Sequence, residues 1–483
     1  MNKHSVIVIA ALLASAGCAR HEFKSDAVAW VGSRTIDARE LTRSFTLHPE
    51  WKKGETEAHA YLTQLHALLA QKIYAQEAEH LGMDRDSMMA GALRFIKEKE
   101  MIKGLYRRQI SEKVQIADAE RQRIYEWSKK KVDIAYVFCL DSALCASFAG
   151  ELKTRDLDAL SLPADSSVVK GMRQGVKVGT VTPALEQAIF TSRLGDVRGP
   201  IRVRGGFMCV KVTGGEQEKF LSENELILQR DKVTKLLTER KADSLSGEYV
   251  YSLMQDTDLR LVGPIFWQVA DDFARRVKES RVDRLKLQNV YITVDEIRSL
   301  NADLGGIGDA VVATHRDGAL TVKELLSALA NMPGSLRPRV RTPQNLKDAI
   351  GRIVRNQYLL KEARREGLDS DPEVLYEYGL QRDEALSAAY YARRRGEVAL
   401  TDAEVEAYRK HAPVSEEQVF FRFNMSALAR SAKADSLLEK DLPGLLTQYG
   451  TTVDTMKVRS MTKSPDAPLK DDPIRVYMRE IFM

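Results

Sequence analysis

The sequence predicts an α+β, mainly helical chain built from several domains, and three observations carry that prediction. A strand–turn–helix signal at 27–45 leads into long helical stretches, and the same pair of signals returns at 311–371. Between the copies, residues 130–215 switch to strand, helix and strand patterns. From 220 to 305 the pattern is helical and charged, with few turn residues. At 483 residues and 44% hydrophobic content there is material for several cores, about three or four.

The first residues, MNKHSVIVIAALLASAGCAR, place Lys3 before an apolar run from Val6 to Ala16. Crossing a bilayer takes about 20 apolar residues, so the run is too short to span and fits a secretory signal over 1–17. Ser15-Ala16-Gly17-Cys18 resembles a bacterial lipobox, with Ser15 where leucine is usual. That resemblance implies lipid attachment at Cys18, a tether over 18–27 and anchoring on the periplasmic face of the envelope. Ala19 in place of an aspartate favours the outer membrane. The alternative is a plain signal with an incidental cysteine.

Within AVAWVGSRTIDARELTRSF (27–45) a short strand and a turn precede a helix, and Asp37 and Glu40 stand at capping positions. In LTQLHALLAQKIYAQEAEHLGMDRD (62–86) apolar residues recur at helical spacing up to Gly82, a left-handed stop. VVATHRDGALTVKELLSAL (311–329) repeats the first segment at an offset of 284, with Thr321 and Glu324 as a capping box. LKDAIGRIVRNQYLLKEARREGLDSD (346–371) repeats the second at 285, setting Gly367 on Gly82. Two segments at nearly one offset predict a duplicated module. Thr401 and Glu404 cap a further helix, and QVFFRFNMSALARSAKADSLLEKDL returns to a strand-then-helix texture.

Charged residues make up 29% of the chain, of both signs and interspersed, with a net charge of +5. A nucleic-acid partner needs a clustered basic face, so none is expected. Cys139, Cys145 and Cys209 have no zinc spacing, and their odd number leaves one over from any pairing. GxSxG, HExxH, P-loop and GxGxxG patterns are absent, and Gly305–Gly308 reads as a turn. No catalytic residue, metal or cofactor is expected.

These pieces together resemble the SurA/PrsA-type parvulin foldases of bacterial envelopes. VAWVGSRTID stands where that family has a V-A-x-V-N-G strand and turn, and QEAEHLGMDRD and KEARREGLDSD match its EAxxxGLxxD helix ends. LEQAIFTSRLGDVRGPIRVRGGFMCVKV resembles the end of the isomerase domain. The resemblance implies SurA N-terminal-like helical modules at 28–128 and 306–412, and a parvulin-like small antiparallel sheet with helices at 129–215. A helical connector at 216–305 and a partial second parvulin-like segment at 413–483 complete the division. It also implies that the family's two histidines fall at Tyr136 and Met208; the chain has no histidine between 81 and 314. Tyr136, Val181, Leu185, Phe207 and Met208 then form a candidate groove that binds peptide without catalysis. The expected partners are unfolded, newly exported polypeptides and, through the lipid, the membrane. The alternatives are an active peptidyl-prolyl isomerase with an atypical site, and a structural or assembly subunit of an envelope complex.

Overall fold

Strand β1, Ala27–Val31, is buried along its whole length, so both of its edges need partners. The computed structural model describes residues 26–47, 55–163, 167–217, 222–279, 292–411 and 425–462. The signal at 1–17 and Cys18 lie outside them. Among the described residues no helix is long and apolar enough to cross a membrane. The chain divides into two compact units: one runs up to Gly104 and resumes at Leu259, the other is Leu105–Asp258.

In the first unit β1 pairs antiparallel with β2 (Arg34–Asp37), followed by α1 (Ala38–Leu47), α2 (Glu57–His80) and α3 (Ser87–Gln109), whose last turn falls past the unit boundary at Gly104. The second unit runs α4 (Asp118–Ser128), β3 (Lys130–Cys139), α5 (Ser142–Glu151), β4 (Val168–Val176), α6 (Pro183–Phe190), β5 (Val197–Val203), β6 (Gly206–Gln217) and α7 (Glu223–Met254). The chain then rejoins the first unit through β7 (Arg260–Leu261), α8 (Gly263–Glu279) and α9 (Val294–Asp303). There β8 (Val311–His315), β9 (Gly318–Thr321), α10 (Val322–Asn331), α11 (Pro343–Arg365) and α12 (Pro372–Glu397) repeat the opening order of elements. The unit closes with α13 (Asp402–His411), α14 (Met425–Gln448), β10 (Thr451–Val453) and α15 (Thr455–Ser460). Gly305–Ile307 is one 3₁₀ turn.

The two copies solve the same local problems with different chemistry. Each hairpin takes its third strand from distant sequence: β10 lies on β1, and β7 on β8. Gly82 and Gly367 end α2 and α11 with φ of 69° and 70°, a conformation that needs no Cβ. The hairpin-turn amide of Ser33 donates to Gln76 Oε1 at 3.3 Å, and that of Asp317 to Tyr358 Oη at 3.3 Å, each from the helix behind it. Glu324 closes a capping box, its carboxylate 2.8 Å from the Thr321 amide. At the matching place Asp37 Oδ1 alone accepts from the Glu40 amide, at 2.7 Å, and the Glu40 carboxylate turns inward to Lys72, 2.8 Å away.

Lys72 is the centre of a buried ion network. Its ammonium is 2.9 Å from Asp383 of α12, and Asp383 accepts from Arg34 Nε at 2.7 Å. Burial depresses the ammonium's pKa, but Glu40 and Asp383 together outweigh it and hold the value above that of an ordinary lysine. The network fixes α12 along α2, where Ala75, Ala78, Leu386 and Tyr390 pack together and Tyr74 stacks on Tyr390 at 5.4 Å. The C-terminal segment belongs to the same core. Val458 is fully buried against α2 and β1, and Gly32 donates to the Tyr449 carbonyl at 2.9 Å. The described part of 413–483, residues 425–462, is therefore a helix–strand–helix completing the first sheet. The expected partial second isomerase-like sheet is not what these residues form, because β10 pairs with the free edge of β1.

Removing one member of a buried ion network strands the others at about 3–5 kcal/mol. Lys72→Met is expected to lose that much in chemical denaturation, because Glu40 would stay buried without its cation and Asp383 would keep only Arg34. Gln357→Met, the exposed counterpart in the second copy, should stay within about 0.5 kcal/mol of the parent. Equal losses from the two would contradict the network's role.

Candidate functional site

The Leu105–Asp258 unit holds a four-stranded antiparallel sheet of order β4-β3-β6-β5. Side chains alternate between its faces, and each face has its own core. On one, Val137, Cys139 and Cys209 pack against Cys145, Phe148 and Leu152 of α5 and its end. On the other, Ile134, Val210 and Val212 pack against Leu185, Ile189 and Phe190 of α6, with Val233 and Leu237 of α7. Glu186, 1% exposed, fastens α6 to α7 through two 2.7 Å bonds from Arg240 and also accepts from the Gly179 amide at 2.5 Å. Phe190 stacks on Trp127 of α4 at 5.7 Å.

The α6 and α7 side is only partly covered at one end. Tyr136, Val181, Ile201 and Met208 pack against its core while each stays half-buried. Met208 faces Ile201 across the β5–β6 ladder. It lies one diagonal step from Tyr136, whose direct partner is Val210; diagonal neighbours are about 7–8 Å apart, within reach of long side chains. Phe138 and Val169 are a cross-strand pair on the same face, and Val169 is 50% exposed. The result is an apolar strip crossing all four strands.

The structure brings Tyr136 and Met208 to one face, as the alternation predicts, with Val181 of the preceding loop and Leu185 of α6 packed on the same side, but it corrects two of the expected groove residues. Phe207 points to the opposite face, beside Cys139 and Cys209, because it is one residue out of phase with Met208. Leu185 is 5% exposed and forms the floor under the strip rather than its surface. Ile201, Phe138 and Val169 were missed. A bulge in the β5–β6 pairing between Arg198 and Ile201 shifts the alternation there and hides Ile201 from a period-2 reading. The register that brings Val169 beside Phe138 is likewise invisible before the strands are paired.

The polar equipment of this face is sparse. The Tyr136 ring lies across β4 at Gly171: a Cβ there would sit 2.8 Å from Oη and 2.9 Å from Cζ, so only glycine fits. The phenol is thus directed over β4, away from Met208, and makes no hydrogen bond among the described residues. No histidine exists anywhere in the unit. The three cysteines on the far face form no disulfide and pack together in one apolar cluster. Burial pushes the Cys139 and Cys145 thiols up to about 12, and raises that of Cys209. Among the described residues no cluster of histidine, cysteine or carboxylate side chains is placed to hold a metal.

No protein-family model matches the chain, and no curated protein does. Among solved structures it is similar to PEB4 and Cj1289, described as SurA-like chaperones of Campylobacter jejuni, at 14% identity and a TM-score of 0.21, over 47% of this chain and 97% of the other. It is similar to the peptidylprolyl isomerase PrsA of Bacillus anthracis at 14% identity and a TM-score of 0.19, over 38% of this chain and 96% of the other. PrsA of Bacillus subtilis gives 14%, 0.16, 47% and 93% for the same measures. Likeness at this level assigns neither family nor activity.

With pKa values near 12, the thiolate fraction at pH 8 is about one in ten thousand. Iodoacetamide at pH 8 is therefore expected to leave Cys139 and Cys145 unlabelled in the native chain, and Cys209 likewise because it is buried beside them, and to label all three in denaturant, read by peptide mass spectrometry. Gly171→Ala should displace the Tyr136 ring and change its near-ultraviolet signal; an unchanged signal would contradict the packing described.

Proposed function

We propose that the chain is a polypeptide-binding chaperone whose sheet unit grips apolar segments of unfolded clients without isomerising their prolyl bonds. The observation that carries this reading is the partly covered strip of Tyr136, Phe138, Val169, Ile201 and Met208 on a sheet without imidazoles. Rotation about a peptide bond meets a barrier of about 18–20 kcal/mol. To lower it, a site must hold a twisted amide better than a planar one. The strip offers apolar contact, a flexible thioether and a phenol turned over the neighbouring strand. Such a surface binds planar and twisted amides alike, which gives affinity without turnover.

Binding an unfolded chain lowers its free concentration by mass action, with no energy source needed. The signal-like 1–17 and Cys18 support a lipid-tethered role at the periplasmic face; the outer membrane is the location favoured by Ala19. The clients in this reading are newly exported polypeptides, and the likeness of the segments quoted above to SurA/PrsA-type foldases supports it.

The wild-type chain is expected to slow aggregation of several unrelated unfolded proteins. In a proline-tetrapeptide assay it should leave isomerisation at the uncatalysed rate, with a time constant of about tens to hundreds of seconds. Val169→Asp, at an exposed position, should weaken client binding about fivefold or more without altering the circular dichroism, since burying a charge opposes apolar contact. Acceleration in the tetrapeptide assay that disappears in Tyr136→Phe would overturn the non-catalytic reading.

A further inference from the structure

An open cleft of about 600 Å³ lies beside the Lys72 network, between the hairpin and α2 of the first copy and α12 of the second. That volume lies within the range of small-ligand pockets, roughly 300–1,000 Å³. The second copy serves as an internal control for what the scaffold itself needs. There the counterpart of Arg34 is Gly318, that of Lys72 is the exposed Gln357, and Glu324 spends its carboxylate on an ordinary cap. The first copy keeps only the Asp37 half of that cap and takes ionised groups into its interior, and a departure from local rules in one of two copies is where a functional site is expected.

The lining has a definite charge. Arg34, Lys72 and Arg382 face five carboxylates, a surplus of two negative charges (five less three). Glu40, Glu79 and Asp383 are each paired with one of those cations. Asp26 and Asp37 complete the five, and among the described residues neither pairs with a cation. The remaining wall includes Leu375, Tyr376 and Leu380 of α12. Tyr376 donates to Asp37 Oδ1 at 3.0 Å, so its phenol is anchored by one of the two surplus carboxylates. Arg39, held by Glu373 and Glu377, lays its guanidinium over one face of the same ring, 4.7 Å from the centroid, so that face is filled from within the chain.

We propose that this cleft binds one organic cation, the guanidinium or ammonium head of an arginine or lysine side chain, with the head at Asp26 and Asp37 and the aliphatic stem along Leu375 and Leu380. An anion entering the same space would meet the carboxylate surplus. A neutral group would gain apolar contact and leave the surplus uncompensated. Arginine fits best, because its planar fork matches a carboxylate. The proposal rests on the polypeptide-binding reading only for the natural source of the cation.

The test uses the full chain and argininamide, titrated by calorimetry or NMR, with citrullinamide as the uncharged control. Argininamide is expected to saturate one site and to bind about tenfold more tightly than citrullinamide, with the advantage shrinking at high salt. The double variant Asp26→Asn, Asp37→Asn keeps the acceptor for the Glu40 amide, and should erase most of that preference at an unchanged melting temperature. Should the double variant unfold, Asp26→Asn alone, at an exposed position, should weaken argininamide about threefold. Equal binding of the two amides, or full argininamide affinity in the variants, would overturn the proposal. The probe is not a polypeptide, so a failed aggregation assay would leave this result standing, and the reverse also holds.

Discussion

One buried ammonium organises the larger unit. Lys72 sits between Glu40 and Asp383, and those two carboxylates belong to opposite halves of a duplicated sequence. A lysine taken out of water is costly unless it is paired, and a pair is stable only while both partners stay in place. The network therefore specifies where α12 lies on α2, which in turn sets Leu386 and Tyr390 against Ala75 and Ala78. The C-terminal helix and β10 then close over the same helix and give β1 the partner its buried edge requires.

The smaller unit depends on a different device. Its sheet has two covered faces, and the Glu186–Arg240 pair draws α7 against α6 to cover one of them. Coverage stops short of the Tyr136 and Met208 end, and the exposed remainder is apolar. In the proposed reading this is where an extended client rests. A site built for turnover would present hydrogen-bonding groups aimed at a twisted amide. Here the phenol lies over Gly171 and the thiols are buried on the far side, with their protons held by desolvation.

Much of this was legible in the sequence where the causes are local. Capping residues such as Thr321 with Glu324 and Thr401 with Glu404, and the left-handed glycines 82 and 367, are all short-range signals, and the structure uses each of them. Tyr136 and Met208 share a face because strand alternation has a fixed period, and the same period separates Phe207 from them. What could not be read depends on distant pairing. Lys72 looks like one more helix-surface lysine until Asp383, 311 residues away, is brought beside it. Residues 451–453 carry no mark of being the partner of β1. Ile201 is masked by the bulge that precedes it.

The central claim is that the sheet face holds clients without turning their prolyl bonds, and one NMR sample tests both halves of it. Methyl-labelled full chain would be titrated with an unfolded, proline-containing client whose cis and trans forms give separate signals. The account predicts shifts confined to the methyls of Val169, Ile201 and Met208 and their neighbours, with the client's cis–trans exchange rate unchanged. Accelerated exchange, or client binding that leaves those methyls undisturbed, would contradict it.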